Sequence, residues 1–290
     1  MQPPTCLPYE AVAAARGERF VPEAFASLWA TGTLQGLGRP SIAIVGTRAA
    51  TPYGKRLARS FAAELGVAGC SIVSGLALGI DAAAHAGALD ADAPTIGILG
   101  GGHDAFFPRR NAALAERIIE RGGAVLSPYP PEREAKPWQF LERNAVVAAL
   151  SDAIVVIEAP ARSGALNTAG WAAGRIPVFA VPGDVDRAHV AGCHALIRDG
   201  AILARCAQDV LDDLRLSQPG CADGKKQTRR LEFDDEVQRR IAGMLSCGEL
   251  GVEEIAAACA APAAAVFAAL SLMEIGGVIE ALPGRRYVLR

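Results

Sequence analysis

Short apolar runs, each closed by a glycine-rich or small polar turn and followed by a stretch with helical spacing, recur through the middle of the chain. They are Ile42–Arg48, Ser71–Asp81, Thr95–Gly102, Gly123–Pro130, Ala153–Ala159 and Pro177–Gly183. Continuous β-branched runs without polar alternation predict strands covered on both faces. Between the first two runs, Leu57, Phe61 and Leu65 recur four apart, while Lys55, Arg56 and Arg59 fall elsewhere, the pattern of a helix lying on a sheet. Thr51 and Pro52 supply that helix with an N-cap and a pre-set first residue. Strands alternating with helices predict an open, mostly parallel α/β sheet with helices on both faces.

The pattern changes at both ends. Residues 1–40 read as an N-terminal extension, with an amphipathic helix expected within Phe20 to Leu34 from the apolar Phe25, Leu28 and Trp29. A main domain is expected over 41–214 and a linker over 215–232, where Ser217 to Arg230 mixes proline, glycine and cations without apolar periodicity. A small domain follows at 233–290: helices over Asp234–Leu245, Val252–Cys259 and Pro262–Met273, then strands at Val278–Glu280 and Tyr287–Leu289 flanking a Pro283-Gly284 turn. That is the order of a winged helix. Its third helix carries no lysine, arginine or asparagine from Ala263 to Met273, so it lacks the side chains that read a major groove. Contact with protein rather than duplex DNA is expected of it, a passive appendage being the alternative.

Composition narrows the setting. The 290 residues are 51% hydrophobic, yet no apolar run approaches the ~20 residues of a membrane span. The segment Met1 to Ala15 has neither a basic nor a sustained apolar region, and the seven cysteines form no C-x-x-C, which predicts a reducing, cytoplasmic location. A formal net charge of −2 gives no global attraction for nucleic acid, so any such binding must come from a local basic site.

Candidate chemistry gathers at the carboxyl ends of the strands, where ligands of open sheets collect. The first turn is no dinucleotide fingerprint, since Arg48 stands where a second glycine belongs. Arg48 is placed for a phosphate, or else for a surface ion pair. Gly75 and Gly79 let backbone N–H groups approach an anion at the start of the next helix. Lys136–Asn144 combines two aromatics and two cations, which suits a phosphate-and-base ligand, with Trp138 expected to plug the core. Arg162–Thr168 opens a further helix with a small polar lip, another anion cradle. His85, His103, His189 and His194 form no ligand run with the cysteines, and neither a P-loop nor a G-x-S-x-G elbow occurs. No catalytic residue, metal or cofactor is therefore expected.

Several separate motifs together resemble the DNA-processing protein A family, also called Smf. They are Val45–Arg48, Ser74–Asp81, Phe107-Pro108 with Asn111, Phe140–Asn144 with Leu150-Ser151, Glu158-Ala159 with Ser163-Gly164 and Thr168-Ala169, and Phe179–Gly183, in order over about residues 41 to 205. The resemblance implies a Rossmann-like domain that binds single-stranded DNA in a positive pocket, works as a homodimer, and hands the strand to the RecA recombinase in natural transformation. Arg48 matches the family's phosphate-binding arginine, and Phe140, Arg143 and Asn144 match its pocket segment. Gly75, Gly79, Ser163 and Thr168 fall on its other pocket loops. Pro128, Pro137 and Ala145 depart from the family pattern, with Lys136 one place from the usual pocket lysine, which implies a less basic pocket. The C-terminal region is similar to an extra domain that some members carry. The competing assignment is a related Rossmann-like group, nucleoside monophosphate phosphoribohydrolases, whose loop glutamate works at the glycosidic bond; Arg162–Thr168 offers no such glutamate.

Overall fold

Every residue of Ser41–Val45, Ser71–Ser74, Thr95–Ile98, Ala124–Ser127 and Ala153–Val156 is buried, because each strand presents apolar side chains to both faces of one sheet. The computed structural model describes residues 3–16, 27–216, 235–245, 250–259, 261–275, 278–282 and 286–289, and divides into two units, 1–222 and 223–290. The strands of the larger unit are β1 (Thr5–Pro8), β2 (Ser27–Gly32), β3 (Ser41–Val45), β4 (Ser71–Ser74), β5 (Thr95–Ile98), β6 (Ala124–Ser127), β7 (Ala153–Val156), β8 (Val178–Ala180) and β9 (Ile202–Leu203). Its helices are α1 (Tyr9–Arg16), α2 (Pro52–Val67), α3 (Ile80–Asp90), α4 (Ala112–Glu120), α5 (Pro137–Ala149), α6 (Gly164–Ala172), α7 (Ala191–Arg198) and α8 (Ala207–Asp213).

The sheet order is β1-β2-β6-β5-β4-β3-β7-β8-β9, parallel from β6 to β9 and antiparallel at β1, β2 and the β2–β6 pair. Alternate residues of one strand serve opposite cores. Ala43 and Val45 pack with Val73, Ile98, Val146 and Val147, while Ile42 and Ile44 pack with Phe61, Leu65, Ile72 and Ala88. After β3 the chain adds β4, β5 and β6 to one side, then returns to place β7 against the other. Loops leaving β3 and β7 therefore diverge, and a crevice opens between them.

Two expectations are corrected. Ser27–Gly32 is a strand rather than part of a helix: Leu28 and Ala30 are buried two apart, the strand period, whereas a helical face would space them three or four apart. Phe25 lies outside the described residues. Nor does the N-terminal segment stand apart from the main domain. β1 and β2 extend the sheet, and Arg16, 2% exposed, donates from Nη1 to the Leu150 carbonyl at 2.6 Å and pairs through Nη2 with Asp152 at 3.2 Å. Of the expected linker at 215–232, residues 217–232 also fall outside the described residues.

The smaller unit has α9 (Glu236–Leu245), α10 (Val252–Ala258) and α11 (Ala263–Ile275) with strands β10 (Leu250–Gly251), β11 (Ile279–Leu282) and β12 (Arg286–Leu289), paired antiparallel in the order β10-β12-β11. Ile241, Leu245, Ile255, Val266, Leu270 and Met273 form its own core. This is the winged-helix order read from the sequence. Phe267 and Leu272 of α11 are exposed. No helix among the described residues is long and apolar enough to cross a membrane.

One buried polar pair gives the larger unit a pH signature. Thr95 Oγ1 donates to the Ile72 carbonyl at 2.8 Å, so its 2.7 Å contact with His85 Nδ1 requires the ring nitrogen to donate. His85 is fully buried, and its Nε2 has no hydrogen-bond partner among the described residues. Burial, reinforced by the Arg143 charge, pushes the imidazole from 6.5 down to about 3. Between those values the unfolded chain binds a proton that the folded chain refuses, so this contribution to stability is lost as pH falls from 6.5 toward 3. His85→Asn keeps a donor for Thr95 without the titration. Thermal melts across that window should therefore show a shallower fall in Tm for His85→Asn than for the wild type, and parallel slopes would remove His85 as the cause.

Candidate functional site

The crevice between the loops after β3 and β7 is a cleft of about 420 Å³. Arg48, Gly75, Phe140, Arg143, Asn144, Ser163 and Thr168 all line it, so seven of the nine candidates from the sequence converge on one space. Its charged lining residues are Arg48, Arg143, Arg162 and Asp81. Three cations against one carboxylate make the local field positive although the chain's net charge is −2.

Arg48 reaches the cleft because both ends of its loop are fastened. Thr47 N donates to the Glu158 carbonyl at 2.7 Å, Thr51 N donates to Glu158 Oε2 at 2.9 Å, and Thr51 Oγ1 donates to Glu158 Oε1. Thr51 also caps α2, accepting from Gly54 N at 3.0 Å. A Cβ on Gly54 would stand 2.2 Å from the Glu158 carboxyl carbon, so only glycine admits that carboxylate. The Arg48 side chain itself is exposed, and its guanidinium carbon lies 4.9 Å from the centre of the Phe140 ring. A cation at that distance over an aromatic face gains about 0.5–1 kcal/mol at an exposed site.

Arg143 is a different kind of cation. It is 3% exposed, and its Nη1 donates to the carbonyls of Gly75 and Ile98. Burial pushes its guanidinium down to about 10 against the support of Asp81, which still leaves it charged at neutral pH. Asp81, buried beside it, accepts from Gly75 N at 3.2 Å and Ala77 N at 3.4 Å. Burial raises the Asp81 carboxyl, while Arg143 and the two N–H groups oppose that rise. The Gly75 N–H is thus turned toward a carboxylate of the protein rather than toward the cleft.

The other candidates divide between lining and support. Asn144 donates from Nδ2 to the Gly164 carbonyl and to Asn167 Oδ1, both at 3.1 Å, which holds the start of α6 at the cleft wall. Ser163 caps α6 by accepting from Ala165 N at 3.3 Å, and Thr168 lies one turn further along the same wall. Gly79 does not line the cleft. It has φ +86°, and a Cβ there would stand 2.4 Å from the Thr47 carbonyl oxygen, so this glycine lets the β4 loop pass beneath the Arg48 loop. Lys136 also lies outside the lining: it is exposed at the N-cap of α5, and the adjacent Pro137 faces the cleft instead.

Trp138, expected in the core, is 47% exposed and meets Tyr129 edge to face at 6.4 Å. The inward face of α5 is taken by Gln139, Arg143, Val146 and Val147, which leaves Trp138 on the solvent side. Glu158 and Asp81 organise the site without having been singled out for it by sequence. Both fall within strand-end runs and within motifs that carry the family resemblance, but neither is among the candidate site residues. Among the described residues no cluster of three or more His, Cys, Asp or Glu could hold a metal ion.

Comparison with known proteins places this geometry in context. The family model for DNA recombination-mediator protein A matches residues 17–215, and the DprA winged helix domain model matches residues 225–285. A putative DNA processing protein DprA of Mycobacterium tuberculosis is 39% identical over 268 residues, covering 91% of this chain and 68% of that protein. Protein Smf of Escherichia coli is 35% identical over 269 residues, 91% of this chain and 72% of the relative. The X-ray structure of DNA processing protein A from Streptococcus pneumoniae superposes with a TM-score of 0.65 at 34% identity, over 73% of this chain and 75% of that one. A structure of DNA processing protein A from Helicobacter pylori, concerned with that protein's single-stranded DNA binding mode, gives a TM-score of 0.61 at 31% identity over 67% and 93%. The order of the strands, the winged-helix unit and these matches along most of its length agree: the chain belongs to the DNA recombination-mediator protein A family.

Proposed function

We propose that this chain binds single-stranded DNA in the cleft at the carboxyl edge of its sheet, without catalysis. The observation that carries this reading is the exposed Arg48 guanidinium 4.9 Å over Phe140, in a cleft where three cations face one carboxylate. A phosphate meets the planar fork of Arg48, and a splayed base stacks where Phe140 lies. Arg143, Asn144, Gly75 and Gly79 hold the walls, Ser163 offers a hydroxyl at the start of α6, Thr168 backs that wall one turn further along with its hydroxyl toward the Gly164 carbonyl, and Lys136 takes a phosphate outside the cleft. Support comes from the relative in Helicobacter pylori, whose structure concerns single-stranded DNA.

The wider role is that of a cytoplasmic homodimer that protects incoming single strands and hands them to the RecA recombinase during natural transformation, a reading supported by family membership. The winged-helix unit docks protein rather than duplex DNA, in keeping with the exposed Phe267 and Leu272 on α11. If the protein instead hydrolysed nucleoside monophosphates, incubation with them would release free base.

A salt titration against matched single and double strands tests the form of nucleic acid. Single strands should bind markedly tighter at moderate salt, with affinity falling steeply as salt rises, because a cleft of loops admits a flexible strand and excludes a stiff duplex. Equal affinity for duplex would sink the proposal.

Arg48→Ala should weaken single-strand binding by about 1.5–3 kcal/mol, roughly tenfold to a hundredfold, and make the salt slope shallower by about one phosphate. Arg48→Lys should recover part of that loss, since it restores charge without the fork. Phe140→Ala should weaken binding by ~1–3 kcal/mol through lost stacking while leaving the salt slope unchanged. A thermal melt must first show each variant folded. An Arg48→Ala protein that binds within twofold of wild type would mark Arg48 as irrelevant to the ligand.

A chain ending near Leu214 should keep most of its single-strand affinity. A tenfold loss, about 1.4 kcal/mol, would show that cations beyond that point hold DNA.

A further inference from the structure

The aromatic surface of the cleft continues past Phe140. The Phe107 ring meets Phe140 edge to face with centroids 5.9 Å apart, and Phe107 is 52% exposed, so the two rings present one continuous aromatic surface to solvent. The turn that follows it is anchored. Asn111 N donates to the Pro108 carbonyl at 2.9 Å, and the buried Asn111 side chain donates from Nδ2 to the carbonyls of Leu76 at 2.8 Å and Ala77 at 3.1 Å. Those two carbonyls belong to the β4 loop that also carries Gly75, so the turn is fixed to the wall of the cleft.

Arg109 and Arg110 stand exposed on this turn, and neither side chain has an ion pair or hydrogen bond among the described residues. Of the other exposed arginines, Arg59, Arg121, Arg187 and Arg205 face carboxylates, whereas Arg117, Arg133, Arg175 and Arg198, like Arg109 and Arg110, have no ion pair among the described residues; what sets Arg109 and Arg110 apart is their place beside the exposed Phe107 ring. An exposed ring followed by two unpartnered cations, continuous with a cleft that already pairs a ring and a cation, repeats the same chemistry one step along a strand. We propose that Phe107, Arg109 and Arg110 form a second nucleotide subsite, in which Phe107 stacks the base next to the one on Phe140 and the two arginines take the phosphates of the strand leaving the cleft.

This inference rests on the single-strand reading of the cleft, and oligonucleotide length separates the two. An oligothymidylate of about 4 nucleotides fills the Arg48–Phe140 cleft, whereas one of about 12 also covers the second subsite. Binding of the full-length protein to each is followed by fluorescence anisotropy over a range of salt, for Phe107→Leu, Phe107→Tyr, the double variant Arg109→Ala with Arg110→Ala, and Arg48→Ala. Phe107→Leu keeps apolar contact with Phe140 but removes the ring. It should weaken binding of the long oligonucleotide about fivefold or more at unchanged salt slope and leave the short one within twofold, while Phe107→Tyr binds both like wild type. The double arginine variant should weaken the long oligonucleotide and make its salt slope shallower by about 1.4, two phosphates on a single strand. Long-oligonucleotide binding within twofold of wild type in both Phe107→Leu and the double variant would overturn the second subsite. So would equal losses on short and long, since Phe107 would then act only by holding Phe140. If Arg48→Ala weakens both lengths in that case, the cleft reading stands and this inference alone falls. If Arg48→Ala also binds both like wild type, the cleft reading falls first.

Discussion

A carboxylate almost without access to water ties the two sides of the cleft together. Glu158, 1% exposed at the end of β7, accepts from Thr47 N with its main-chain oxygen and from Thr51 N and Thr51 Oγ1 with its side chain. A buried carboxylate is costly unless such donors satisfy it, so the loop after β3 cannot slide without orphaning it. Arg48 lies between the two anchored residues. Its backbone is fixed by a group it never touches, while its own guanidinium remains exposed to what enters the cleft.

The topology decides where such a clamp is useful. Because β7 pairs with β3 on the side opposite β4, the loops after β3, β4 and β7 leave the same edge in different directions. The three then lean on one another: Gly79 passes under the Arg48 loop, Arg143 donates to the carbonyl of Gly75, and Asn144 holds the start of α6. A single glycine turn would present a few N–H groups to any anion. Here much of that capacity is spent inside the protein, as the Gly75 N–H on Asp81 illustrates, and the cations are what remain for a ligand.

How much of this was legible follows from the reach of each interaction. The inner strands were readable because burial on both faces leaves a continuous apolar run, whatever the tertiary detail. Ser27–Gly32 was not, since six residues with Leu28 and Trp29 near their start do not distinguish the strand period from the helical one. The gathering of Arg48, Phe140 and Ser163 at one edge could be inferred from their places after successive strands. Whether a cation there faces solvent or the interior could not: Arg143 and Lys136 flank Phe140 in sequence, yet one is 3% exposed and the other stands outside the lining. Glu158 was least readable of all, because its partner Thr51 lies 107 positions earlier and nothing local marks the pair.

The burial of Arg143 bears on how a charged ligand is received. A surface arginine sheds its hydration when an anion arrives, and that loss offsets much of the attraction. Arg143 has already exchanged water for the carbonyls of Gly75 and Ile98 during folding. Its charge acts on the cleft as a standing potential that needs no rearrangement at the moment of encounter. In the single-strand reading proposed above, Arg48 supplies recognition by contact and Arg143 a constant bias in the field, so the two guanidinium groups beside one ring divide affinity between a term that salt and geometry readily disturb and one that is as durable as the fold itself.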